Sequence, residues 1–430
     1  MVIQPKQSTA AFLVALSLGF VGYFTLRPED ASVILPATCV FCGALGGTDF
    51  VLNVILFIPL GVSARWLARG PSRALALGIA TTVLVETMQW SVVAGRYASL
   101  GDLLANTLGT AIGAWLAVQL IEFLNSTSDR ARALSTSFAG TLSVFVFAMA
   151  MLLQPAPART PHQFVQWTPV RRNTDPFPGR LLSAALNERP IRAAERIPSV
   201  WLLDTAHRSV ALEAQVTAPG RTPRRRAIIV RTANTFEEGL MLAQDGEQLV
   251  FRTAVLAERL KLRSLEIGLT QGLQPAVGDS VTEIVGHSSP REMSLLSEQP
   301  GSKREVTLKR TVGLGWAVFS PYEVAIDPSW WRANAIWLGA LVMPLAFLVK
   351  RSARRGGTTK SPRLLWWPPV LVLSSLVFWP MAFGLSQLGL GEAFGVAVGA
   401  AVGILIERWT TLHGVVNSNA DIRTPQPELQ

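Results

Sequence analysis

The sequence predicts a polytopic α-helical membrane protein of about eight transmembrane helices, with an all-β antiparallel sandwich inserted between the fifth and the sixth. Three observations carry this prediction. Apolar runs long enough to cross a bilayer recur at both ends of the chain. Charged residues make up only 16% of the 430 positions and hydrophobic ones 49%, whereas a soluble domain carries roughly 25% charged residues. Between the two apolar regions, residues 154–329 hold no spanning run and alternate polar with apolar at period two.

The net charge of +10 could suggest a nucleic-acid partner, but its placement argues otherwise. Much of it gathers between apolar runs, at Arg65, Arg69 and Arg73, at Arg130 and Arg132, and at Lys350, Arg351, Arg354, Arg355, Lys360 and Arg363. That is the pattern of cytoplasmic loops under the positive-inside rule. No base-contacting module accompanies it, so no nucleic-acid partner is expected.

The first span follows Lys6 and covers about Ala10–Leu26. It resembles a signal peptide, yet it runs into Arg27-Pro28 without a small-residue cleavage site, and so reads as a retained span. An outer loop over residues 27–48 holds Pro28, Pro36 and the chain's two cysteines, Cys39 and Cys42. One CxxC supplies at most half a tetrahedral zinc site, and His162, His207, His287 and His413 stand alone in the sequence. A local disulfide or free thiol pair is the plain reading, with a redox-active pair as the alternative; no metal or cofactor is expected. Spans two to five cover about Val51–Leu67, Ala74–Ala94, Leu103–Leu124 and Leu134–Leu153, with a short turn at Gly95–Gly101.

In the polar region, Val210, Leu212, Ala214 and Val216 share one face of a strand, and Asp245-Gly246 between GLMLAQ and EQLVFRT marks a hairpin. Further strands are expected around Ala227–Arg231, Ser264–Gly268, Val281–Val285, Glu305–Leu308 and Leu314–Phe319. Trp201, Trp316 and Phe319 read as sandwich core ahead of a sugar-stacking platform. Trp330 and Trp331 suit an interfacial anchor. Three spans follow, about Ala333–Val349, Leu364–Phe383 and Ala393–Ile406, the last carrying Gly391, Gly395, Gly399 and Gly403 at the spacing that lets helices approach closely. Glu392 reads as a solvated helix end. The chain thus divides into 1–153, 154–329, 330–408 and a disordered tail at 409–430. Eight spans place both termini in the cytoplasm and the sandwich outside the cell membrane.

One stretch stands out. Asp49, Asn53, Glu86, Gln89, Asp102 and Asn106 sit in or at the edges of spanning runs, where ionisable residues mark functional sites by default. At 3.6 residues per turn, Asp102, Asn106, Gly109 and Gly113 fall at about 0, 40, −20 and 20 degrees, one narrow stripe that is polar at one end and small toward the middle. Glu86 and Gln89 share a face, Asp49 and Asn53 begin the second span, and Pro59 is expected to kink it. Arg96, in the turn after Glu86, is the expected partner of that carboxylate. All converge at one depth, which favours a pocket for an amphiphile's headgroup over a network that only holds helices together.

At Asp49, Asn53, Phe57, Pro59 and Gly61, then Glu86, Gln89, Arg96, Asp102, Asn106 and Gly109, the chain resembles the VanZ-like family of bacterial membrane proteins over about residues 20–125. The resemblance implies a cell-envelope role linked to glycopeptide resistance, in particular to teicoplanin. The CVFCG segment resembles larger relatives whose outer domain is a concanavalin A-like, LamG-type jelly roll. Here Val210–Val216 and Gly239–Phe251 carry that likeness, while the Arg221–Arg226 loop and the segment from Thr232 to Glu238 depart from it. Three functions follow as expectations. The first is binding or movement of an envelope lipid or lipid-linked glycan, with a glycan or protein partner at the outer domain. The second is an enzyme on a polyprenyl-phosphate substrate, with Glu86 or Asp102 as base and Arg96 stabilising charge. No nucleophile elbow or phosphatase motif supports it. The third is a scaffold for envelope or polysaccharide-export machinery.

Overall fold

The computed structural model describes residues 6–28, 38–43, 45–156, 159–171, 173–202, 209–217, 221–234, 237–273, 280–353 and 366–420, with side chains to 412. Expectations placed on Pro36, His207, Arg354, Arg355, Lys360, Arg363 and the tail beyond 420 lie outside them.

Five helices precede the β region and three follow it. They are α1 Gln7–Thr25, α2 Gly46–Ala68, α3 Pro71–Ser91, α4 Leu100–Leu124 and α5 Ser128–Leu152, then α6 Trp331–Ser352, α7 Trp367–Ala382 and α8 Leu390–Ala420. Among the described residues six are long and apolar enough to cross a membrane: α1, α2, α4, α5, α6 and α8. The other two fall short for different reasons. α3 has 21 residues but is diluted by Thr81, Thr82, Glu86, Thr87 and Gln89, and α7 has only 16. The last helix continues past Ile406 as far as Ala420.

Close helix pairs are made by glycines, because lipid tails supply no hydrophobic drive and packing must do the work. A Cβ added to Gly109 or Gly113 of α4 would come within 2.3 Å of the Val54 oxygen or 2.2 Å of the Ile58 oxygen on α2. The α6–α8 pair repeats the device. Added Cβ atoms at Gly395, Gly399 and Gly403 would meet the carbonyls of Ala335, Gly339 and Met343 at 2.3, 2.1 and 2.3 Å, and one at Gly391 would meet the Trp331 ring. Pro59 stays inside α2.

Among the described residues twelve strands form the inserted domain: β1 His162–Trp167, β2 Leu181–Leu186, β3 Arg189–Pro190, β4 Arg196–Pro198, β5 Val210–Thr217, β6 Ala227–Ala233, β7 Glu238–Asp245, β8 Gln248–Thr253, β9 Leu265–Thr270, β10 Val281–Ser288, β11 Glu292–Gln299 and β12 Ser302–Lys309. Two six-stranded antiparallel sheets result, in the orders β4-β1-β6-β7-β8-β9 and β12-β11-β10-β5-β2-β3. The period-two pattern of β5 does what it predicts: Val210, Leu212, Ala214 and Val216 are all buried. Asp245 pairs with Gln248, leaving Gly246 and Glu247 as the two-residue hairpin loop, with Gly246 at φ 58°. A positive φ at the first loop position is cheap only for glycine.

One expected strand is not a strand. Residues 314–319 belong to a 3-10 helix, Val312–Phe319. Its residues from Val312 to Gly315, with Ala317 and Val318, are buried without alternation, because the segment is wedged against α2, α5 and α6 instead of lying in a sheet with one solvated face. Trp201, Trp316 and Phe319 pack against the core. That core runs without a break from both sheets into Leu142, Val146 and Met149 of α5, Leu338 and Val342 of α6 and Val372 and Leu376 of α7. α1–α4 keep separate small cores, such as Val14, Val21, Phe57, Leu60 and Val85. The sandwich is therefore continuous with the second helical group.

It meets the first group at one place, the start of α2. The N–H groups of Gly47 and Thr48, which have no partner within the helix, donate to the carbonyl of Lys261 at 3.2 and 3.3 Å. Cys39 and Cys42 form a disulfide whose loop packs on both neighbouring helix starts. The Cys39 carbonyl accepts from Gly101 N at 3.1 Å, Gly46 lies against the Phe41 backbone, and Lys261 Nζ donates to the Phe41 carbonyl at 2.6 Å.

Candidate functional site

α4 opens with Ser99 as its N-cap, and the Ser99 Oγ accepts the Asp102 N–H at 2.9 Å. Asp102 thus stands in the first turn, where the helix dipole favours negative charge. Its Oδ1 accepts a 2.6 Å hydrogen bond from Asn53 Nδ2 on α2. The backbone N–H of the same Ser99 turns the other way and donates to Glu86 Oε2 of α3 at 2.9 Å. One serine therefore links two carboxylates on two helices.

One turn deeper, Asn106 Nδ2 donates to Thr82 Oγ1 at 2.8 Å. Thr82, Glu86 and Gln89 make a single buried stripe on α3, and Gln89 Nε2 reaches the Thr25 carbonyl at the end of α1, 2.9 Å away. Glu86, Gln89 and Asn106 are 7, 6 and 1% exposed. Glu86 Oε1 and Asn106 Oδ1 have no hydrogen-bond partner. Asn53 and Asp102 are half-buried, and Asp49 is exposed on the first turn of α2, near enough to feel Arg263 of the β domain. Burial pushes the Arg263 guanidinium below its ordinary value, against the pull of Glu323, Glu266 and Asp49.

Arg96 meets its expected role through charge alone, lying near enough to act on both Glu86 and Asp102. Glu86 is bonded by the Ser99 N–H, and Arg96 instead donates from Nε to the Arg27 carbonyl at 3.3 Å and from Nη2 to the Phe24 carbonyl at 3.5 Å. The reason is local: the end of α1 leaves carbonyls that need donors, and the 92–99 turn brings the guanidinium over them. Ser99, Thr82 and Thr25 are participants that the sequence reading passed over. Ser99 had a signal, the Ser-x-x-Asp spacing of a helix start.

Glu392, expected as a solvated end, is 4% exposed. Its Oε1 accepts from Thr311 Oγ1 and from Asn334 Nδ2 at 2.9 Å, its Oε2 from Gly389 N at 2.9 Å, and Trp316 Nε1 donates to Asn334 Oδ1 at 2.8 Å. This second polar centre ties the sandwich to α6 and α8 with every carboxylate oxygen bonded. Of these two centres, the first alone has buried acceptors without a partner, Glu86 Oε1 and Asn106 Oδ1. Among the described residues no group of three or more His, Cys, Asp or Glu gathers as metal ligands would.

Residues 4–122 match the VanZ/LLP1 family model. No curated protein and no solved structure matches the chain. The matched residues contain α1, α2, α3 and most of α4, and hence every member of the first cluster. The chain is a multi-pass membrane protein, VanZ-like over residues 4–122, with an all-β sandwich inserted between its fifth and sixth helices.

Proposed function

We propose that this protein binds an amphiphile of the cell envelope, a lipid or lipid-linked glycan, by seating its headgroup in the cluster at the starts of α2 and α4. The carrying observation is the pair of buried, unbonded acceptors Glu86 Oε1 and Asn106 Oδ1 beside the bonded chain Asn53–Asp102–Ser99–Glu86. A network serving only to hold helices has every reason to use its acceptors, since each buried one without a donor costs roughly 1–3 kcal/mol. Two such atoms on successive helical turns suit a ligand that donates, such as the hydroxyls of a sugar or polyol.

The orientation follows from charge. Arg65, Arg69, Arg73, Arg130 and Arg132 lie at helix ends remote from the sandwich, and the positive-inside rule puts such ends in the cytoplasm. The sandwich, which we read as concanavalin A-like, then stands outside the cell membrane over the cluster and offers a second surface for glycan or protein. Occupation of envelope glycolipid by such a site is a route to altered glycopeptide susceptibility. A scaffold role draws support from the core shared by sandwich and α5–α7.

Mass spectrometry of co-purified lipids separates these readings. Wild-type protein should retain a hydroxyl-bearing headgroup lipid that falls at least tenfold in Glu86→Gln and in Asp102→Asn. An unchanged lipid profile in both variants overturns the binding proposal and leaves the scaffold.

A further inference from the structure

A cavity of about 650 Å³ lies between the β6–β9 face and the disulfide loop. That volume is within the range of small-molecule sites. Seven cationic and five acidic side chains line it, a positive balance. Its floor is ordered by ion pairs: Arg231 to Glu238 at 2.8 Å and Arg252 to the same Glu238 at 2.8 Å across neighbouring strands, and Arg252 to Glu258 of the 3-10 helix Leu256–Leu260 at 2.9 Å. Such a ladder fixes guanidinium planes that would otherwise be mobile.

Two buried polar atoms in this floor have no hydrogen-bond partner. Gln163 is fully buried, lines the cavity and has no partner for Oε1; Arg252 Nε also has none. One is an acceptor and the other a charged donor. At the rim, Arg171 and Arg259 stand exposed with no ion pair among the described residues. A cavity with exposed cations at its rim and the polar side chains of Asn234 and Thr253 in its lining suits a phosphate carried on a hydroxylated ring.

The cavity also borders the start of α2, the helix that carries Asn53 of the membrane cluster. Gly43 and Leu45 line it, and Leu45 immediately precedes α2. From Leu45 to Asn53 is eight residues of helix, about 12 Å at 1.5 Å per residue. Asp49 lies between them. A headgroup whose hydroxyls sit at Asn53, Asp102 and Glu86 would therefore present its outer end to the cavity.

We propose that this cavity is a phosphosugar subsite, which takes the distal phosphate of a glycolipid whose proximal sugar occupies the membrane cluster. The assignment of a glycolipid rests on the headgroup reading above; the phosphosugar chemistry of the cavity rests on its own lining. Glucose 6-phosphate, inorganic phosphate and methyl glucoside are the soluble probes, titrated against full-length protein in phosphatidylcholine nanodiscs. Glucose 6-phosphate should bind, at least tenfold tighter than methyl glucoside and tighter than inorganic phosphate. The double variant Arg171→Ala/Arg259→Ala, made at exposed positions, should weaken it at least tenfold, and Arg304→Ala on the exposed edge strand should not. Equal binding of methyl glucoside, or full affinity in the double variant, overturns the subsite. The lipid arm separates free from lipid-borne phosphate. Depletion of a phosphorylated glycolipid in the double variant supports the lipid source, and retention of that lipid overturns it. If glucose 6-phosphate binds as expected while Glu86→Gln keeps its lipid, the cavity stands and the membrane-cluster reading falls.

Discussion

Asn53 and Asp102 close the gap between α2 and α4 with one 2.6 Å hydrogen bond, amide to carboxylate. The bond sits at the open end of a helix pair that is sealed further in by Gly109 and Gly113. Asn53→Leu removes the donor and leaves a half-buried carboxylate short of a partner, so about 1–3 kcal/mol of stability should be lost. Asp102→Asn keeps an acceptor and should cost less. Thermal unfolding in detergent, run as a double-mutant cycle, should give a coupling of roughly 0.5–3 kcal/mol; additive losses would mean that the two side chains act independently.

Gly113 and Gly140 offer a controlled comparison. A methyl at Gly113 meets the Ile58 oxygen at 2.2 Å, while one at Gly140 of α5 meets nothing within 4 Å. Gly113→Ala should therefore part the helices and cost about 1–3 kcal/mol. Gly140→Ala should gain up to about 1 kcal/mol from helix propensity alone. The same sign for both variants in chemical denaturation would contradict the packing.

Reduction of the Cys39–Cys42 disulfide should act locally. The bond closes a ring of four residues, so its chain-entropy contribution is about 2 kcal/mol. Its loop nevertheless holds Gly101, Gly46 and Lys261 together. Hydrogen exchange after reduction, or in Cys39→Ser/Cys42→Ser, should quicken at residues 46–49, 99–102 and 259–262 and stay unchanged in β5 and β10.

Acid should weaken the sandwich through Glu238. Burial opposes its charge, yet Arg252 and Arg231 outweigh burial and hold the carboxyl below its ordinary 4.5. A depressed folded-state value contributes stability that is complete above the unfolded value and disappears as pH falls through the folded one. The loss should begin near pH 4.5 and grow downward. Glu238→Gln should be less stable than wild type at pH 7, with a smaller further loss on acidification. Parallel acid profiles for the two proteins would exclude Glu238 as a source.

Glu392→Ala strips three donors of their acceptor: Thr311 Oγ1, Asn334 Nδ2 and Gly389 N. A loss of several kcal/mol is expected, with Glu392→Gln recovering part of it. Limited proteolysis should then cut near residues 310–330 first, where the sandwich joins α6.

Much of this architecture was legible beforehand. Helix positions follow from apolar run length, and β5 and the Asp245-Gly246 hairpin from period and turn chemistry, because each depends on residues close in sequence. The shared faces of Asp102 with Asn106 and of Glu86 with Gln89 were legible for the same reason, being periodic within α4 and α3, whereas Asp49 stands exposed and apart from them. What escaped were decisions made between elements. Arg96 acts on Glu86 through charge while its N–H groups go to the Arg27 and Phe24 carbonyls at and just past the end of α1, a choice set by the docking of α1. Glu392 was buried by Thr311 and Asn334, which arrive from a different domain and a different helix. Residues 314–319 looked like a strand until their neighbours on α2, α5 and α6 surrounded them.

The attachment of the sandwich to the start of α2 has a consequence for synthesis. Thr48 meets the carbonyl of Val318, 270 residues later in the chain, and Gly47 waits for Lys261. On the ribosome, α1–α4 can insert and form their polar cluster well before either carbonyl exists. The N–H groups that open α2 therefore stay with water until the β domain is finished and α6 follows it, so this helix start is the last part of the first helical group to reach its final partners.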